Sequence, residues 1–225
     1  MSDLTTAIRS RGYWRVDIRP ADYVPDRLPH PALKPTLERT AVRLRGWDFP
    51  HLEQRTERRG NNWIGGETEW NQIREAWRFY RSGQFVYLRG FIEDWIEPDR
   101  LQLGRIPRDV PSLGVGDALF TISEICEFAS RLSVTEAGAD QMRVEIDLRN
   151  AAGRILYVDD QRRMPMDNQY SFHDDTLTAA VSISRGDVAG RSRELALDAA
   201  SDIFGRFGWH PDPALLQGQQ DELRW

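Results

Sequence analysis

Asp117–Thr135 reads DALFTISEICEFASRLSVT, and the fold class follows from this stretch. Leu119, Ile122, Cys126 and Ala129 recur at the spacing of one helix face, and Ala118, Ile125 and Leu132 widen the stripe. Asp117 is placed to cap the first turn, because a short carboxylate accepts from a backbone N–H that has no intrahelical partner. Phe120 and Phe128 fall off the main stripe, so apolar residues occupy well over half the circumference. Such a helix needs cover on two sides, which predicts a sheet against it and a further layer beyond. The spacing therefore predicts a central helix over about 117–135.

Working outward, Ser2–Ser10 predicts a short helix with Ser2 or Asp3 as its cap and Leu4, Ala7 and Ile8 facing inward. Trp14, Val16 and Ile18 alternate with Tyr13, Arg15, Asp17 and Arg19, predicting a strand over Tyr13–Arg19 that Pro20 ends. Pro25, Pro29, Pro31 and Pro35 predict an ordered loop over Ala21–Pro35. Thr40–Gly46 predicts a second strand, with Ala41, Arg43 and Arg45 on one side and Val42 and Leu44 on the other. Trp47–Gly66 reads as irregular, with the charged run Glu53–Arg59 in water. Glu69–Phe91 reads as a short helical lead-in and then a hairpin around Ser82-Gly83. Glu93–Val115 reads as a loop punctuated by Pro98, Pro107 and Pro111.

Beyond the central helix, Met142, Val144, Ile146 and Leu148 alternate, Asn150–Gly153 turns, and Arg154–Val158 returns as the second arm of a hairpin. Asp159–Asp175 is polar and loop-like, and Leu177, Ala179, Val181 and Ile183 mark another strand backed by a small-residue face. Arg191–Phe207 predicts a helix stopped by Gly208, and Pro213 opens a last helix ending near Leu223. Strands are not each separated by a helix, so a doubly wound parallel sheet is disfavoured. The expected class is α+β, with a mixed or mainly antiparallel sheet around the central helix and two C-terminal helices. A single globular domain over 1–225 is expected, either undivided or as two lobes, 1–92 and 115–225, that share the central helix across a soft boundary at Glu93–Gly114.

The composition is that of an ordinary globular chain: 225 residues, 40% hydrophobic and 29% charged, enough to bury a core without staples. Cys126 is the single cysteine and lies on the apolar stripe, which excludes a disulfide framework and a Cys-based zinc site. No window approaches the apolar length of a membrane span, and the first residues, MSDLTTAIRSRG, lack the apolar core of a signal peptide. A cytoplasmic location with no membrane association is the expectation. Lys34 is the sole lysine among 30 basic residues, so the cations are almost all planar guanidinium forks. Through Val110 the chain holds 19 basic against 16 acidic residues, and afterwards 11 against 19. That asymmetry allows a local basic face but falls short of the bias of a dedicated nucleic-acid binder.

Most catalytic signatures are missing. There is no GxxxxGK[ST], GxSxG or HExxH, and Lys34, between Leu33 and Pro35, reads as a surface residue. His173 beside Asp174 and Asp175 is a metal-type grouping, but adjacent residues of an extended segment point to opposite sides, which leaves His173 and Asp175 as the metal candidates. His51, in Trp47-Asp48-Phe49-Pro50-His51, could form an acid/base set with Asp48 and Glu67; the plainer expectation is that Trp47 and Phe49 anchor the loop while Asp48 and His51 satisfy backbone groups. No cofactor is implied.

Aromatic and arginine residues concentrate early. Trp14, Trp47, Trp63, Trp70, Trp77 and Trp95 are interleaved with Arg15, Arg43, Arg45, Arg74, Arg78, Arg81 and Arg89. Guanidinium on indole is a favourable contact, and the same residue types line nucleotide, single-strand and protein-interface surfaces. Should strands carrying Arg15/Arg19 and Arg43/Arg45 be neighbours, four guanidiniums would share a sheet face and call for an anionic partner.

Arg11-Gly12-Tyr13-Trp14-Arg15-Val16, Arg43-Leu44-Arg45-Gly46-Trp47-Asp48-Phe49-Pro50-His51 and Trp77-Arg78-Phe79-Tyr80-Arg81-Ser82-Gly83-Gln84-Phe85-Val86 resemble an uncharacterised bacterial family, and the likeness continues through Leu113–Asp117 and the central helix. Similar segments are associated with proteins carrying an AlbA-like (Schlafen-type) DNA-binding domain, whose characteristic elements are not recognisable in this chain. The resemblance implies a bacterial cytoplasmic accessory or regulatory role and carries over no catalytic residue.

The expected function is a non-enzymatic binding or regulatory module. Its anion-binding residues would be Arg15, Arg43, Arg45, Arg78 and Arg89, and its partner a nucleic acid, a nucleotide or an acidic protein surface. The alternatives are a phosphodiester or nucleotide hydrolase at His51/Asp48/Glu67 or a metal at His173/Asp175, and a structural subunit. In the last case Leu195, Ile203, Phe204 and Trp209 would pack against a protein partner or another copy in a homo-oligomer.

Overall fold

The computed structural model describes residues 2–52, 56–96, 107, 110–185 and 191–225. In chain order the elements are α1 (Asp3–Arg9), β1 (Tyr13–Pro20), α2 (Leu33–Thr40), β2 (Arg58–Arg59), β3 (Trp63–Trp70), β4 (Ile73–Tyr80), β5 (Phe85–Gly90) and β6 (Ser112–Gly114). They continue with α3 (Val115–Ser133), β7 (Gln141–Arg149), β8 (Ile155–Tyr157), β9 (Thr176–Ser184), α4 (Arg191–Arg206) and α5 (Pro213–Gln220). Seven strands form one antiparallel sheet in the order β2-β3-β4-β5-β1-β7-β9, while β6 and β8 pair in parallel as a separate two-stranded piece. The class is α+β with two C-terminal helices, as the spacing predicts.

Alternation along each strand divides the sheet into two faces. The inner face carries Trp14, Val16 and Ile18 of β1, Phe85 and Tyr87 of β5, Met142 to Leu148 of β7 and Leu177 to Ile183 of β9, all buried. Against it lies α3, whose Leu119, Ile122, Ile125, Cys126, Phe128, Ala129 and Leu132 are fully buried. The Phe128 ring sits 4.6 Å from Phe85 and 5.7 Å from Phe49 between centroids, so one α3 side chain ties the helix to β5 and to the loop before β2. α4 packs on both α3 and β9, and α2 and α5 also touch α3, which supplies the second layer. The outer face is more polar, and α1 lies across β4 and β5 there, seating Ile8 against Ala76 and Leu88. Of the residues expected as a surface for a partner, Ile203 and Phe204 are buried inside the chain, while Leu195 and Trp209 are half-buried against the same core.

Several local expectations are corrected. Leu33–Thr40 is a helix where a proline-rich loop was predicted to reach Pro35, because Pro31 and Pro35 occupy first-turn positions whose N–H groups need no partner. Thr40–Gly46 is no strand: Thr40 ends α2, and only an isolated bridge, Val42 to Phe49, follows. The stretch predicted as irregular and then helical contains β2, β3 and β4, with Asn71 at φ 49° making the turn between β3 and β4. The returning arm Arg154–Val158 does not pair with β7; β8 joins β6, and β9 takes the place beside β7. Buried Arg154, held at 2.7 Å by Asp94, draws the chain away after the turn at Asn150. The central helix starts two residues earlier than predicted, and its first turn is capped by Asp159, which accepts from the Gly116 and Asp117 N–H groups at 2.7 and 2.8 Å. Most of the predicted lobe boundary at Glu93–Gly114 lies outside the described residues.

Candidate functional site

The five candidate arginines go to four places. Arg15 lies on the outer face of β1, with Asp147 at 2.9 Å and Glu145 at 3.2 Å on β7. That part of the face alternates in sign: Asp17 meets Arg19 at 3.1 Å, and Asp147 meets Arg149 at 2.6 Å. Arg43 is exposed in a loop and paired with Asp48 at 2.5 Å. Arg45 and Arg89 converge, but under α3 on the inner side. Arg78 alone of the five faces open space with no carboxylate within 4 Å among the described residues. The shared face of Arg15/Arg19 and Arg43/Arg45 does not form, because β1 is flanked by β5 and β7 and the Arg43–Arg45 segment is not in the sheet.

The inner cluster is an ion network on the first turns of α3. Asp117 Oδ1 accepts from Arg45 at 2.7 Å and from Arg89 at 2.9 Å, while Glu124 accepts from Arg45 and Thr121 from Arg89. Burial opposes ionisation of Asp117, yet the flanking Arg89 and Arg45 hold its carboxyl below the usual range. Next to it, Glu75 of β4 accepts from Tyr87 at 2.7 Å and from the His51 backbone N–H at 3.0 Å, and pairs with the His51 ring at 2.7 Å. Burial disfavours the imidazolium, but Glu75 overcomes it and raises the His51 pKa. At the N-terminus of α3, Glu93 accepts from Gly114 at 2.7 Å and from Tyr157 at 3.3 Å, and its other oxygen is buried without a hydrogen-bond partner. Burial, helped by nearby Asp117, pushes the Glu93 carboxyl up to about 7. Nearly every cation here faces its own carboxylate, so the cluster is arranged to hold loops and strands to the helix.

The outer groove is different. Arg9 at the end of α1, Arg58 of β2, Trp63, Gly65 and Glu67 of β3, Arg78 and Tyr80 of β4 and Val86 of β5 surround a depression of about 590 Å³. Its size is that of a small-molecule site. Arg78 lies over the Trp63 ring at 4.5 Å. Trp63 reaches this position because its neighbours lack side chains: a Cβ at Gly60 would come within 2.1 Å of the indole, and one at Gly65 would meet the ring at 3.0 Å and the Trp77 carbonyl at 2.7 Å. Of three guanidiniums only Arg58 is paired, with Glu67 at 3.2 Å; Arg9 and Arg78 have no carboxylate within 4 Å among the described residues. Sequence reading singled out Arg78 and Trp63 here. It missed Arg9 and Arg58, because the spacing of distant elements across a sheet leaves no local signal.

The catalytic candidates are not brought together. His51 takes Glu75, whereas Glu67 lies on the opposite face of the sheet with Arg58, and Asp48 is held by Arg43. His173 is exposed with only a 3.5 Å contact to Ser171, and Asp175 is exposed too. Among the described residues no three His, Cys, Asp or Glu side chains are grouped to hold a metal ion, and no helix is long and apolar enough to cross a membrane. No protein-family model, no curated protein and no solved structure matches the chain.

Proposed function

We propose that the chain is a non-enzymatic binding module and that the outer groove holds an anionic ligand bearing a planar base, a nucleotide or a short single strand of nucleic acid. The observation that carries this reading is Arg78: an exposed guanidinium lying on an indole, with no carboxylate within 4 Å among the described residues, and 4.5 Å from the Trp63 centroid in a groove shared with Arg9 and Arg58. Arg78 would bond phosphate through its N–H edge, as guanidinium forks do, and Arg78, Trp63 and Tyr80 would supply stacking surfaces. The alternating charges around Arg15 and the chain's net charge of −5 argue against a long duplex footprint.

Binding of a labelled oligonucleotide, and of mononucleotides as competitors, across a salt series tests the reading. Affinity should fall as salt rises, and Arg78→Ala should weaken binding about tenfold and flatten the salt slope by roughly one phosphate contact. Absence of binding to DNA, RNA and nucleotides at low salt, or binding indifferent to both Arg78→Ala and Arg9→Ala, refutes it.

A further inference from the structure

Among the described residues the sheet ends at β9, and the hydrogen-bond pattern there leaves one side of the strand open. The Arg185 N–H donates to the Asp140 carbonyl at 2.9 Å in line with the β7–β9 register, so odd-numbered residues of β9 bond toward β7. The backbone groups of Thr176, Thr178, Ala180, Ser182 and Ser184 therefore point away from the sheet. Among the described residues none of these groups has a partner. β9 runs nine residues, TLTAAVSIS, without the charge, proline or bulge that ordinarily blocks an edge.

We propose that β9 pairs with β9 of a second copy of this chain, antiparallel about a two-fold axis at Ala180, to make one continuous sheet across the dimer. Backbone parity and charge together choose that register. Only even-numbered residues present N–H and C=O groups, so even must face even. Centring on Ala180 sets Thr178 opposite Ser182 of the second copy and Thr176 opposite Ser184 of the second copy, small uncharged pairs that oppose no like charges. It also sets Asp175 opposite Arg185 of the second copy, and the two-fold axis repeats that pair at the other end. Asp175 and Arg185 are both exposed, and neither has an ion-pair partner within its own chain among the described residues. Sliding by two residues preserves the backbone bonds but separates these charges. An extended peptide from another protein would find an edge with no charge to read along its length, whereas a second copy brings complementary charges to both ends.

Light scattering of the full chain over a concentration series should give a mass approaching twice 26.0 kDa. Ala180→Pro should yield a monomer with unchanged circular dichroism, since it removes an N–H that points away from the sheet. Asp175→Arg and Arg185→Asp avoid any backbone change. Each places like charges at both ends and should weaken the dimer about tenfold, while the double exchange should restore it. A chain that stays monomeric throughout, a dimer insensitive to all three substitutions, or a double exchange as weak as the single ones overturns the proposal.

Discussion

Asp117→Asn tests whether the ion network under α3 is truly a buried one. The change keeps the shape of the side chain and removes one charge from a set of two guanidiniums, Arg45 and Arg89, and two carboxylates, Asp117 and Glu124. Side-chain exposures are 11% for Arg45, 6% for Arg89, 11% for Asp117 and 0% for Glu124, so water cannot replace the missing charge. Removing one partner of a buried pair costs about 3–5 kcal/mol, because the other charge stays buried and uncompensated. The asparagine oxygen still accepts from both guanidiniums, and Glu124 still offsets one of them, which places the expected loss near the lower end, about 3 kcal/mol. For a chain of this size that corresponds to a melting temperature lower by roughly 6–12 °C. Denaturant unfolding followed by tryptophan fluorescence measures it, and an unchanged denaturant slope confirms that the native surface is intact. Adding Arg89→Gln removes the orphaned cation, so the double variant should lose less than the sum of the two single losses. A loss below about 1 kcal/mol for Asp117→Asn, the range of an exposed pair, or strict additivity with Arg89→Gln, would refute the reasoning.

Glu93→Gln should act in a pH-dependent way. The native carboxyl titrates at about 7, against 4.5 for the free group, so the folded state holds its proton through a range where the unfolded chain has lost it. Stability from this group therefore falls as pH rises from about 4.5 to 7. The glutamine variant, which keeps an acceptor for Gly114 and Tyr157, should be more stable than the parent at pH 8 and equal to it near pH 4.5 in paired denaturation curves. For His51, the elevated pKa means that its pairing with Glu75 contributes stability below the usual imidazole value and loses it as pH rises through the raised native one. NMR titration of the His51 ring should give a value above 6.5, and Glu75→Gln should move it below 6.5, since burial alone disfavours the imidazolium. A His51 pKa that ignores the Glu75 substitution would contradict that pairing.

Periodicity carried the parts of the fold whose cause is local. Leu119 to Leu132 announce α3 because a helix that buries most of its circumference repeats its apolar residues whatever it packs against, and Leu177 to Ile183 announce β9 for the same reason at period two. What failed was decided by residues far apart. Arg43, Leu44 and Arg45 alternate like a strand, yet Arg45 leaves that pattern to meet Glu124, 79 positions away. Arg154–Val158 has the composition of a returning hairpin arm, but Arg154 bonds Asp94, 60 positions upstream, and the arm goes to β6 instead. The candidate site divides the same way. Arg78 and Trp63 stand out within their own segments, while Arg9 and Arg58 join them only because β3 and β4 pair and α1 folds across the face. A charge on a strand's outer face is therefore weak evidence of a site until its cross-strand neighbours are known. Arg15, with Asp147 and Glu145 on the adjacent strand, and Arg78, with none, occupy the same face of one sheet; the difference between a balanced surface and an open cation lies wholly in what the neighbouring strand places opposite.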